Sequence, residues 1–133
     1  MRVFALAVGA AMLAAALFAA TQVTADPRFE KSLHMLAPEE RLEQLCDYTA
    51  MKQIRRDQKQ FRPDRAVANA MADPRIAQHT IEAKGAAFRS RGKWYALTFS
   101  CTASPDHMEV VSFRYTIGAE IPESKWAAFN LWQ

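Results

Sequence analysis

Two alternating stretches separated by a turn signal leave few alternatives to a β-hairpin between Gly85 and Cys101, GAAFRSRGKWYALTFSC. From Lys93 onward, Tyr95, Leu97, Phe99 and Cys101 fall on one side of an extended strand. Trp94, Ala96, Thr98 and Ser100 fall on the other. The first set is apolar and is expected to face the core. If Ser90 and Lys93 close the turn, Phe88 lies opposite Tyr95 and Arg89 opposite Trp94. Phe88 then joins the apolar side without a register break. Arg89 over Trp94 forms a cross-strand cation–π pair on the outer face, worth about 0.5–1 kcal/mol when exposed. Gly92 suits a tight turn because glycine adopts positive φ cheaply. Arg91-Gly92 fits either a two-residue loop or a type I turn with Gly92 left-handed and a bulge.

The chain opens like a secretory signal peptide. Arg2 is the positive start, Val3 to Ala20 is uncharged and rich in Ala and Leu, and Val23-Thr24-Ala25 offers short residues to a peptidase. The cut is expected after Ala25, which makes 1–25 the signal peptide and 26–133 one domain. An uncleaved anchor is the alternative, although eighteen residues stand at the lower limit for crossing a bilayer. After cleavage no membrane anchor is expected, and the protein is placed in the periplasm or outside the cell. A domain of that size can bury roughly two thirds of its unfolded surface. The formal charge of +3 falls to +2 once Arg2 is removed. That mild excess suits acidic envelope polymers without requiring them.

Cys46 and Cys101 are the two cysteines. An even count in an exported chain implies one disulfide. Pro38 fits the first position of a helix, with Glu39 and Glu40 complementing its N-terminal dipole. Leu42, Leu45, Cys46, Ala50 and Ile54 then form one apolar stripe. Two independent periodicities, helical at Cys46 and alternating at Cys101, both turn a cysteine inward. The bridge is therefore expected to pin this helix onto the core side of the sheet. Closing a loop of that length contributes about 4 kcal/mol in the chain-entropy picture.

The remaining elements are weaker. Phe29, Leu33 and Leu36 space a short amphipathic helix after Asp26-Pro27. Ala66 to Met71 reads as a strand, and Arg75 to Ala83 as an edge strand. His107 to Gly118 alternates, with Val111, Phe113, Tyr115 and Ile117 on its core side. Ile121 to Ser124 begins a short C-terminal helix carrying Trp126 as a lid on the core end, and Leu131-Trp132 is left to fray. The basic run from Lys52 to Arg65 fits the solvated end of a helix better than an anion site, since interleaved aromatics do not focus its charges as in a nucleic-acid stripe. The fold class is α+β: N-terminal helices on an antiparallel sheet of three to five strands, a short C-terminal helix and one helix-to-strand disulfide. No βαβ alternation supports a parallel sheet.

Several stretches together resemble the exported alphaproteobacterial family called domain of unknown function 930. They are Arg41-Leu42-Glu43-Gln44, Cys46-Asp47, Ala50-Met51, Pro63-Asp64-Arg65, Gly85 to Ser90, Gly92, Trp94-Tyr95, Phe99 with Cys101, Phe113, Tyr115, Ile117-Gly118, and Ile121-Pro122 with Trp126 and Asn130-Leu131. The resemblance spans about 36–131 and implies one exported domain. It carries no activity, substrate or catalytic residue. Ala37 departs from it, as similar proteins tend to place a better helix cap before Pro38.

No catalytic or metal motif stands out: the three histidines, His34, His79 and His107, fall on three different elements, and His79 has no nearby Asp, Ser or Cys to make it a catalytic partner. No cofactor and no nucleic-acid partner are expected. A carboxylate pair for glycoside hydrolysis would draw on Glu43, Asp47 or Asp64. Arg41, Asp47, Asp64 and Arg65 are expected to form an internal polar network; a small anionic pocket beside Trp94 is the sharper alternative. The candidate binding face is Arg89, Arg91, Lys93 and Trp94. The function expected is a non-catalytic binding or envelope-accessory module whose partner is an envelope protein or an anionic glycan. Inhibition of a secreted or host hydrolase is the alternative, and an envelope polysaccharide hydrolase the third.

Overall fold

The computed structural model describes residues 26–133, so the signal-peptide expectation lies outside the described residues. Two helices, α1 (Pro27–His34) and α2 (Pro38–Asp57), precede five strands: β1 (Pro63–Val67), β2 (Arg75–Ala77), β3 (Thr80–Ser90), β4 (Lys93–Ala103) and β5 (Val110–Glu120). All strand pairs are antiparallel, in the order β1-β3-β4-β5, with β2 also on β3. The α+β class, the helices against the sheet and the closing helical turns agree with the sequence reading.

Asp26 caps α1, its carboxylate accepting from the Arg28 amide at 2.8 Å. Ala37 provides no side-chain cap, and α2 nevertheless starts at Pro38, whose ring presets the helical φ. Leu42, Leu45, Cys46, Ala50 and Ile54 are all buried along α2. They meet Ile81, Ala83, Ala86 and Phe88 of β3, and Leu97, Phe99 and Cys101 of β4. The Cys46–Cys101 disulfide crosses this layer with a Cα–Cα distance of 6.0 Å.

The hairpin has the expected register: Phe88 faces Tyr95, Arg89 faces Trp94 and Ser90 faces Lys93. Arg91 (φ 52°) and Gly92 (φ 76°) are both left-handed, which decides for the two-residue loop. β3 is longer than the sequence suggested and reaches back to Thr80 across a bulge between Ala83 and Ala86. At that bulge Gly85 accepts from the Met71 amide at 2.7 Å, and the Ala72 backbone lies where a Cβ would stand. The edge is thus one broken strand. β1 ends at Val67, the chain detours through 68–74, and β2 resumes on the same side of β3. Ala66 to Met71 is therefore strand only at its start.

Val111 is a second difference. The ladder shifts register between Thr102 and Ala103, so Val110 packs on the core while Val111 is 71% exposed. A bulge displaces the alternation by one residue.

The largest difference lies on the outer face. The short C-terminal helical element consists of two 3-10 turns, Glu123–Lys125 and Ala127–Phe129, which fold the chain back across the sheet. Ile121, Trp126 and Leu131 build a second apolar cluster there with Ala87 and Trp94. Trp126 covers the outer face, not the core end, and its indole donates to the Ile121 carbonyl at 3.0 Å. Leu131 is buried rather than frayed. Trp94 is fully buried, so it is not an exposed binding side chain. Alternation placed it correctly on the outer face; whether distant chain returns to cover that face is not a property of the strand.

Candidate functional site

At the hairpin end the outer face carries charge instead of apolar surface. Antiparallel pairing sets Arg65 of β1 directly opposite Arg89 of β3, which in turn faces Trp94. β1 shifts register between Pro63 and Arg65, leaving Asp64 out of the pairing. Bulged residues turn their side chains away from the regular pattern, and Asp64 turns toward Arg89. The Arg89 Nε and Nη2 donate to its two carboxylate oxygens at 3.0 and 2.9 Å, a fork-to-fork pair. That hydrogen bonding holds the Asp64 carboxyl below the usual carboxylate range, against an opposing push from burial; the charges of Arg89 and Arg65 add to the lowering.

Arg89 is also held by rings. Its guanidinium carbon lies 5.8 Å from the Trp94 ring centre and 5.9 Å from that of Trp132. The expected Arg89–Trp94 pair exists, buried beneath Trp132, which is 46% exposed. Trp132 is the accessible aromatic of this cluster. Sequence reasoning missed it because nothing local to Leu131-Trp132 signals a position beside Arg89. Arg65 donates to the Asp64 main-chain carbonyl at 2.8 Å. Lys93 pairs with Glu120 at 3.4 Å, and Arg91 stands exposed on the turn. On the helix side Asp64 also lines a groove of about 240 Å³ with Lys52 and Arg55. One carboxylate therefore sits among cations from α2, β1 and β3.

The expected polar network is otherwise not formed as a unit. Arg41 donates to three carbonyls, of Leu33 (2.9 Å), Leu36 (3.0 Å) and Asp106 (3.0 Å). It clamps the helix junction to the β4–β5 loop and does not pair with Asp47. Asp47 is buried on α2 with its Oδ1 unpartnered. Burial pushes its carboxyl well above the usual range, with the Glu43 charge second. Burial also raises Glu43, helped by Glu39 and Glu40. The latter lines, with Glu43, a shallow groove of about 540 Å³ between α1 and α2.

Two histidines far apart in sequence also meet. His107 Nδ1 lies 2.6 Å from the Pro38 carbonyl, and its Nε2 lies 2.9 Å from His79 Nδ1. A carbonyl only accepts, so His107 Nδ1 is the donor, and neutral His107 accepts from His79 through Nε2. The rings meet nearly end to end, with centroids 5.1 Å apart, as a hydrogen bond requires. This contact fastens the β4–β5 loop to the start of α2 beside the Arg41 clamp. Among the described residues, no group of three or more His, Cys, Asp or Glu side chains is arranged to hold a metal ion.

Pro63-Asp64-Arg65, Gly85 to Ser90 and Trp94-Tyr95 converge on one end of the sheet. A family description, Domain of Unknown Function (DUF930), matches residues 33–131. The chain belongs to the DUF930 family. No curated protein and no solved structure matches it. In this DUF930 chain Arg65, Arg89, Asp64 and Trp132 bring an aromatic surface beside a guanidinium fork that Asp64 occupies. Such a cluster can hold a planar anion and orient it.

Proposed function

We propose that this protein is a non-catalytic binding or accessory module of the bacterial envelope, exported by a signal peptide cut after Ala25. Its partner is anionic and is held on the outer sheet face at the hairpin end. One observation carries the reading: Arg65 and Arg89 stand directly opposite each other across two strands. Like charges in that position are unfavourable by themselves. Asp64 offsets the charge of Arg89 from within the chain, and an external anion would offset that of both arginines. Exposed Arg91 extends the positive surface at the turn, whereas Lys93 is paired with Glu120, and half-exposed Trp132 supplies the aromatic side that Trp94, being buried, does not. The disulfide between α2 and β4 suits an oxidising compartment.

The test is affinity capture from native envelope extract. The bait is the oxidised chain from residue 26 to 133, with an Arg65→Ala/Trp132→Ala variant beside it. An anionic partner retained by the parent and lost by the still-folded variant supports the reading. Equal retention by both baits moves the site away from this face.

A further inference from the structure

We propose that the anion taken up at this end is the carboxylate of a uronic-acid glycan, and that Asp64 occupies its place as an internal stand-in until the glycan displaces it. This rests on the reading of the face as an anion-binding surface and names the chemistry of that anion.

Three observations carry the inference. The first is the fork itself. Arg89 already holds a carboxylate in its plane through two nitrogens, at 3.0 and 2.9 Å. A planar carboxylate is therefore the anion whose fit to this fork is visible. The second is the layering of the pair. The Arg89 side chain is 12% exposed and that of Asp64 is 53% exposed. The cation is built in beneath the rings and the carboxylate lies on the solvent side. Asp64 sits in the bulge, outside the β1–β3 pairing. Its side chain can leave by rotation without breaking a ladder bond, opening the fork to another carboxylate.

The third is the ring beside the fork. Trp132 lies 5.9 Å from the Arg89 guanidinium and is half exposed. Aromatic rings combine apolar contact area with a polarised face. A hexuronate bears its carboxylate directly on the sugar ring, so its charge and its C–H surface are one ring apart. Arg89 and Trp132 set a guanidinium beside an aromatic ring, the two kinds of group such a sugar calls for. Arg65, opposite Arg89 in the pairing, donates to the Asp64 main-chain carbonyl and adds its charge beside the fork.

The experiment is titration of the oxidised chain with trigalacturonate and with its fully methyl-esterified form, at one fixed ionic strength, read by tryptophan fluorescence and calorimetry. The parent, Asp64→Asn, Arg65→Ala/Trp132→Ala and the charge-matched control Asp73→Asn are compared, each with its thermal melt as a folding check. The parent is expected to bind the acid in preference to the ester. Asp64→Asn is expected to bind the acid about two- to fivefold more tightly, the factor an exposed ion pair represents. Asp73→Asn is expected to match the parent, and the double variant to lose binding.

Unchanged or weaker binding by Asp64→Asn, an equal gain in Asp73→Asn, or equal binding of acid and ester would each overturn the proposal. If trigalacturonate fails to bind while dextran sulfate binds the parent and not the double variant, the uronate assignment falls and the anion-binding face stands. If none of these anions binds the parent, both fall.

Discussion

The Trp94 indole donates to the Trp132 main-chain carbonyl at 2.7 Å, joining the hairpin to the last residues of the chain across 38 positions. The bond satisfies the one polar group of a fully buried ring, and the same contact brings Trp132 over Arg89. It explains how a strand with an aromatic outer face is left with little bare apolar surface.

Removing that ring empties the second cluster. Trp94→Ala is expected to destabilise the protein by about 3–5 kcal/mol and to release the C-terminal segment. Trp132→Ala, which keeps the accepting carbonyl, should cost far less. Urea unfolding gives the stability, and limited proteolysis after Trp126 reports the release. A Trp94→Ala variant with parental stability would contradict the packing described above.

The disulfide joins positions 55 residues apart. Replacing both cysteines with alanine is expected to remove about 4 kcal/mol of stability, the value for closing a loop of that length in the unfolded chain. Urea midpoints of oxidised parent and double variant measure it. A loss below about 1 kcal/mol would mean that the helix–sheet layer holds without its cross-link.

Asp47 should make stability depend on pH in an unusual direction. Its folded-state carboxyl lies well above the ordinary 3.8 because burial disfavours the charge. A carboxyl raised in the folded state favours folding fully below its unfolded value, and that contribution is lost as pH rises toward the folded value. Asp47→Asn should therefore match the parent near pH 3.5 and exceed it at pH 7–8 by about 1–3 kcal/mol, the cost of an unsatisfied buried group. Urea midpoints across that range provide the check. A variant less stable than the parent at pH 8 would show that the carboxylate has a compensating partner.

Gly85→Ala should destabilise by about 1–3 kcal/mol, the usual range for overpacking, because the new methyl meets the Ala72 backbone instead of a movable side-chain tip. Gly118→Ala meets the Ala96 methyl at 3.0 Å and should cost less. Thermal melts of the two variants rank them. The reverse order would place the tighter backbone approach at β5.

Much of the fold is legible in short-range pattern. The stripe from Leu42 to Ile54 and the alternation from Tyr95 to Cys101 each describe one face of one element, so the disulfide could be inferred where two faces meet. The bulges escaped this reading. An extra residue at Asp64, at Gly85 or at Val111 leaves no signature in propensity, yet each shifts which side chains face inward. For the candidate site, Arg89 and Trp94 were placed correctly relative to each other. Exposure of Trp94 and the partner of Asp64 were not, since both depend on chain returning from elsewhere. The same holds for Arg41, whose guanidinium serves carbonyls from two loops, and for the contact between His79 and His107.

Local periodicity and cysteine placement by themselves determined the α+β class, the hairpin register and the Cys46–Cys101 bridge, because those are set by neighbours a few residues apart. Tertiary structure alone decided that Trp94 is covered, that Trp132 is the accessible aromatic and that Asp64 answers Arg89. Each of those depends on burial against distant chain, and the free energy of burial is a property of the assembled surface and not of any single segment.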